Sequence, residues 1–384
     1  MIYLDYAAST PIDPRVVAVI TDIYENHPGN PSSRTHKYGV DCRVIVENAR
    51  SQVSALMQAY PYEVIFTSGA TEANNLAIRG LFDFGSKNDK RHIITSSIEH
   101  KSVLNALGYL ERAGFEVSYL QPSENGTIGI EQLERAIRED TLLVSIMHAN
   151  NETGIIQPVE EICDLIDSLP DQKKPYLHVD AAQTAGKICK ELQKLRCDMI
   201  SVSSHKMYGP QGIGALIVKQ NDFQGAPIEA ILFGGDQEQG LRPGTIPTAL
   251  IGGFGEAARL ALELQERDLE CAKAVERTLL QGLSEAGINY AINGSAERMP
   301  FTINVMFTGV SSEALMIAGR NEFAISNGSA CTSNSYKPSY VLTAMGLTPE
   351  EATDSVRISW GRGIDETQMQ NFLNTLIPIV KSLQ

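Results

Sequence analysis

The sequence predicts an α/β fold, with a large domain built on a mostly parallel sheet and a smaller α/β domain after it. Three observations carry this. From about residue 60 to 220, short β-branched runs alternate with helix-patterned segments, the order expected of parallel strands covered on both faces. A long helical repeat follows at 248–285. Two more apolar runs, 301–307 and 355–361, come after it with helical patterns near 311–319 and 366–382.

"EVIFT" (63–67) leads into "SGATEANNLAIRGL", and "RHIITSS" (91–97) into "IEHKSVLNALGYLERAG". "FEVSYLQ" (115–121) and "TLLVSIMHA" (141–149) follow, then "PYLHVDAA" (175–182), "CDMISVSSH" (197–205) and "GIGALIVK" (212–219). In the long repeat, Phe254, Ala258, Leu262, Leu269, Ala272, Val275, Leu279 and Leu283 recur at helical spacing or close to it. Its length suits a helix running from one domain into the next. We therefore expect a large domain at 13–255 and a small domain at 256–384, completed by residues 1–12.

Composition narrows the function. The 384 residues, 43% hydrophobic and 20% charged, have ample material for cores. Lys+Arg is 32 against Asp+Glu 46, a net charge of −14, which argues against direct nucleic-acid binding. The opening "MIYLDYAASTPIDPR" lacks the pattern of a secretory signal. No apolar run approaches the ~18 residues of a membrane span. The six cysteines never form a CxxC pair, so neither a disulfide framework nor a metal site is expected. A reducing cytoplasm is the simplest setting.

Four motifs fall at strand ends, where open α/β sheets place ligands. In "TSGATEANN" (67–75), Gly69 and Thr71 open a helix, either as a plain capped start or as a phosphate site. In "HVDAAQTAGK" (178–187), Asp180 ends an apolar strand; it either caps the next turn or faces a protonated ring nitrogen. In "SVSSHKMYGPQGIGA" (201–215), Lys206 is either a surface lysine or, in a confined site, a Schiff-base former. "FGGDQEQGLRPGTIP" (233–247) is a Gly-rich loop that could simply connect elements. A fifth stretch, "ISNGSACTSNSYKPS" (325–339), holds Cys331 among small polar residues that offer little to bury it.

With "YLDYAASTP" (3–11), "NPSSRTHKYG" (30–39), "SSIEHKSVL", "NGSACTS" (327–333) and "VRISWGR" (356–362), these motifs run in order through nearly the whole chain. In that order the sequence resembles the cysteine desulfurases of the class V aminotransferase superfamily, pyridoxal-phosphate enzymes of fold type I. The resemblance implies that Lys206 carries pyridoxal 5′-phosphate covalently and moves the substrate α-proton. Asp180 would pair with the ring nitrogen, Gln183 would bond the ring hydroxyl oxygen, and His100 would stack on the ring. Ala70, Thr71, Ser203 and His205 would hold the phosphate. Thr245 would reach it from a second subunit, implying a homodimer. Asn151 and Arg357 would bind the carboxylate of L-cysteine, and Asn30 would line the same pocket.

The resemblance also gives Cys331 a role. Its thiolate would attack the substrate sulfur, keep it as a persulfide while alanine leaves, and deliver it to acceptor proteins. A small-residue loop would supply the mobility for both visits. The products served would be iron–sulfur clusters, thiolated tRNA or DNA phosphorothioate. Asn327, Pro243, Asp236 and Gln239 depart from the usual family residues, which suits a specialised member. Two rivals stand beside this reading: a selenocysteine lyase or other β-eliminating enzyme, and a scaffold that keeps the cofactor only as structure.

Overall fold

Apolar β-branched runs form the strands of the computed structural model, which describes residues 1–220, 225–328 and 338–384. In chain order these are β1 (Ile2–Tyr3), β2 (Val64–Thr67), β3 (His92–Ser96), β4 (Glu116–Leu120), β5 (Thr141–Met147) and β6 (Tyr176–Asp180). Then come β7 (Met199–Ser203), β8 (Gly214–Val218), β9 (Tyr290–Ile292), β10 (Thr302–Phe307), β11 (Phe323–Ala324) and β12 (Ser355–Ser359).

Seven of them make the central sheet, in the order β2-β8-β7-β6-β5-β3-β4. β8 runs antiparallel to both of its neighbours, and the remaining pairs are parallel. Every residue of β5 and β7 is buried, as the crossover helices on both faces require. A polar pin crosses three of these strands. His178 on β6 bonds Ser145 Oγ on β5 at 2.8 Å and Ser201 Oγ on β7 at 2.9 Å. Complete burial pushes this imidazole down to about 4 and keeps it neutral. The strand ends that follow are thereby held in register beside Asp180.

The predicted long helix is a single 38-residue element, Thr248–Glu285, and it joins two cores. Ile251, Phe254, Ala258 and Ala261 pack under the sheet. Ala272, Val275, Leu279 and Leu283 pack with β10, β12 and the helix Glu366–Leu383. Leu262 of the predicted stripe lies between the halves and is 37% exposed, because the buried face changes partner there.

Two helices absent from the sequence reading, Pro14–Asn26 and Lys37–Leu56, lie against this one. The run "GGFG" (252–255) explains how. A Cβ at Gly252 would lie 2.4 Å from Ile23 Cδ1, and one at Gly255 would lie 2.6 Å from Ala49 Cα. Only glycine allows so close an approach.

The smaller sheet is antiparallel, β12-β10-β9. The N-terminal strand β1 pairs in parallel with β11, and Leu4 and Tyr6 enter the second core. The chain then crosses to the central sheet, where Thr10 N–H donates to the His205 carbonyl at 2.9 Å.

Candidate active site

The carboxyl ends of β3, β5, β6 and β7 open on one edge of the sheet, and a cavity of about 520 Å³ lies there. Ten of the sequence-derived site residues line it: Ala70, Thr71, His100, Asn151, Asp180, Gln183, Ser203, His205, Lys206 and Arg357. They come from widely separated parts of the sequence and meet because β2, β3, β5, β6 and β7 end on the same edge, while Arg357 reaches in from β12 of the smaller sheet.

Three candidates are placed otherwise. Asn30 and Thr245 are exposed and off the cavity lining. Asn30 uses its Oδ1 in a local turn, accepting from Ser32 N–H at 2.9 Å. Cys331 lies outside the described residues. Gly328, three positions before it, lines the cavity.

At the deep end, Asp180 is 6% exposed. Its Oδ1 accepts from Ala182 N–H at 2.9 Å and its Oδ2 from Asn74 Nδ2 at 2.7 Å. Asn74 also donates to Ser102 Oγ at 2.8 Å. That hydroxyl lies 2.8 Å from His100 Nδ1, and Ser102 N–H donates to the same nitrogen at 3.1 Å. A backbone N–H can only donate, so Nδ1 is the acceptor and the proton of neutral His100 sits on Nε2. Burial, then the positive charge of Lys206, lowers the His100 pKa and favours that neutral form.

Lys206 follows β7 in a short turn, Ser204–Lys206. Beside it, His205 Nδ1 lies 3.2 Å from Ser9 Oγ, and burial followed by Lys206 pushes this ring to about 4. Two further buried groups set the local field. Lys187 is pushed down to about 7 by burial, then by the charges of Lys206 and Arg357. Glu99 is pushed up to about 8 by burial, although Ser96 Oγ and Met147 N–H both donate to it. Glu99 is therefore a neutral acid near neutral pH.

Arg357 leaves β12 with its side chain 5% exposed. It donates to the Asn151 carbonyl at 2.7 Å and to Asp5 Oδ1 at 2.7 Å. Its Nε is buried with no hydrogen-bond partner among the described residues. At the opposite wall the helix Ala70–Arg79 starts after Gly69, whose φ of 154° few side chains would adopt. A Cβ at Gly214 would lie 2.7 Å from the Gly69 Cα, so glycine at both positions keeps this helix start against β8. Its free N–H groups and dipole suit an anion.

The sequence reading missed Asn74, Ser102 and Asp5. Asn74 stands inside the quoted "TSGATEANN" and Ser102 two residues after His100. Both have the polarity to serve a site, but only the packing of two helices beside β6 makes them neighbours. The unusual residues lie off the cavity lining. Gln239 Nε2 donates to the Tyr62 carbonyl at 2.7 Å, and Pro243 packs near Gly234.

The family model for aminotransferase class-V matches residues 2–372. The chain belongs to that family. Within it, the chain is a member of the cysteine desulfurases. Cysteine desulfurase IscS of Vibrio vulnificus (strain CMCP6) is 46% identical over 386 residues, covering all of this chain and 93% of the relative. A solved NifS-like protein superposes with a TM-score of 0.90 at 34% identity, covering all of both chains. DndA from Streptomyces lividans superposes with a TM-score of 0.80 at 42% identity, over 94% of this chain and 99% of that one.

Class V desulfurases use pyridoxal phosphate, and the cavity fits it. Gln183 donates through Nε2 to the Ala7 carbonyl at 3.0 Å, while its Oε1 is a buried acceptor without a partner among the described residues. Asn151 Oδ1 is in the same state. Both atoms belong to residues lining a cavity that also presents a carboxylate, a lysine and a helix start. Among the described residues, no cluster of His, Cys, Asp and Glu could hold a metal ion, and no helix is long and apolar enough to cross a membrane. Of the described cysteines, Cys163 and Cys189 are pushed up to about 11 and Cys197 to about 12, mainly by burial. These three are poor nucleophiles.

Proposed function

We propose that this desulfurase takes sulfur from L-cysteine, releases L-alanine and holds the sulfur as a persulfide on Cys331 for transfer to acceptor proteins. One observation carries the reading: Lys206, Asp180, His100 and Arg357 line a single cavity whose wall includes Gly328, just before Cys331. When bound, pyridoxal phosphate supplies an electron sink for the substrate Cα.

The residues divide the work. Asp180, held by Asn74 and Ala182, would set its carboxylate toward the ring nitrogen. Ala70, Thr71, Ser203 and His205 would hold the phosphate, and Gln183 would bond the ring hydroxyl. Lys206 would anchor the cofactor and move the α-proton. His100 would lie beside the ring and offer its Nε2 proton. Arg357 and Asn151 orient the substrate carboxylate, a guanidinium and carboxylate being matched in shape. Cys331 then attacks the substrate Sγ. The Cβ–Sγ bond breaks, a sulfur–sulfur bond forms, the electron pair stays on carbon and a proton replaces sulfur at Cβ. Cysteine plus thiol thus gives alanine plus persulfide, with no external oxidant or reductant.

The same reading makes the protein a homodimer. Tyr24, Tyr38, Val44 and Phe233 are 68%, 58%, 54% and 92% exposed, apolar surface that a second copy would cover. Thr245, exposed and off its own cavity, would serve the cavity of the second copy. A reducing cytoplasm suits a carrier thiol. Iron–sulfur clusters, thiolated tRNA or DNA phosphorothioate would be the products served.

The test is Cys331→Ala in the cofactor-loaded enzyme. Alanine production from cysteine should collapse while the cofactor absorbance is kept. Unchanged turnover would remove the persulfide step.

A further inference from the structure

Glu152 is a buried carboxylate that the proposed chemistry leaves unused. It sits on the turn after β5, next to Asn151, and is 2% exposed. Ser339 Oγ donates to its Oε2 at 2.5 Å. On its other side is Gly328, with φ +81°; a Cβ there would lie 2.6 Å from the same Oε2. Gly328 is the last described residue before Cys331, and Ser339 is the second described residue after it. One carboxylate therefore accepts from Ser339 and leaves no room for a side chain at 328.

The turn is also tied to the substrate side. The Asn151 carbonyl accepts from Arg357 at 2.7 Å, and Asn304 Nδ2 donates to the Glu152 carbonyl at 3.2 Å. The chain before Gly328 is locked to the same arginine, because Ser326 exchanges backbone hydrogen bonds with Arg357 at 2.5 and 3.1 Å. Ser326 Oγ then accepts from Gly328 N–H at 3.2 Å. The dipeptide Asn151–Glu152 thus holds the carboxylate-binding arginine with its first residue and both feet of the Cys331 segment with its second.

We propose that Glu152 is a positioning residue, fixing residues 328 and 339 relative to Arg357 so that the Cys331 thiol reaches the substrate sulfur. This rests on the persulfide reading given above. Sulfur transfer then depends on Glu152, whereas cysteine binding at Arg357 does not. Glycine at 328 follows from the same contact, since any side chain there would collide with the carboxylate. Deletion of the carboxylate leaves Ser339 without its acceptor and opens space beside Gly328.

Two readouts on full-length cofactor-loaded enzyme separate these steps. The cysteine-induced change in cofactor absorbance reports binding, and mass spectrometry of alkylated protein in a single turnover reports the Cys331 persulfide. For Glu152→Ala we expect the first within about threefold of wild type and the second slower by about tenfold or more, the scale for a misplaced reacting group. Glu152→Gln keeps an oxygen acceptor for Ser339 and should restore most of the rate. Ser339→Ala should show the same split, more weakly, and decides the matter if Glu152→Ala does not fold. An equal fall in both readouts, or no fall in persulfide rate in either variant, would overturn the inference alone. Absence of any Cys331 persulfide in wild type would overturn the parent reading and this inference with it.

Discussion

Arg357 Nη2 donates to Asp5 Oδ1 at 2.7 Å, so the last strand of the small sheet and the N-terminal segment meet in one ion pair at the cavity wall. The same guanidinium donates to the Asn151 carbonyl. A planar fork fits this arrangement and an ammonium does not. Arg357→Lys should therefore raise the KM for cysteine by about tenfold or more, the scale of a lost bidentate contact to a carboxylate. kcat should fall less, and cofactor absorbance should persist. Steady-state kinetics with cysteine checks this.

Asp180 holds two donors at 2.7 and 2.9 Å, which keeps its charge aimed into the cavity. Asp180→Asn preserves the shape and removes that charge. We expect kcat to fall by about a hundredfold or more, the scale for removing one fixed electrostatic partner. The cofactor should stay attached through Lys206, as its absorbance would report.

Glu99 gives a pH signature. Its folded-state pKa is about 8, above the ordinary 4.5, because of burial. Between those values the folded form keeps a proton that the unfolded form releases. Stability is therefore fully present below about 4.5 and is lost as pH rises toward 8. Glu99→Gln cannot titrate. Across a thermal-melting series from pH 5 to 8, wild type should lose a few degrees relative to this variant.

Arg50 and Glu238 form a buried bidentate pair at 2.7 and 2.8 Å, and Glu238 also accepts from Phe66 N–H at 2.7 Å. This pair ties the Gly-rich loop to β2. Glu238→Ala leaves Arg50 with only the Glu47 carboxylate and the Val64 carbonyl, and should cost about 3 kcal/mol in denaturant unfolding, the low end for a broken buried pair.

The strands of the central sheet could be read from sequence because buried parallel strands are written as uninterrupted apolar runs. The run "TLLVSIMHA" contains β5, which stops two residues earlier at Met147, and "CDMISVSSH" contains β7 with two extra residues at each end. The helices Pro14–Asn26 and Lys37–Leu56 were not read. Exposed Tyr38 and Val44 blur the apolar stripe of the second, whereas the first carried a start signal that was passed over, Asp13 as cap before Pro14. In the site, Lys206, Asp180 and His100 stood out because each sits in a motif at a strand end. Asn74, Asp5 and Glu152 act through neighbours distant in sequence, and Ser102 links its near neighbour His100 to the distant Asn74; a linear reading holds no sign of the distant contacts.

The central claim is that sulfur from cysteine rests on Cys331. The direct measurement is to give cofactor-loaded enzyme one equivalent of sulfur-labelled L-cysteine, stop the reaction, and map the label by peptide mass spectrometry. We expect one labelled sulfur on the Cys331 peptide for each alanine formed, and none in Cys331→Ala. Alanine formed with the label absent from Cys331 would contradict the claim.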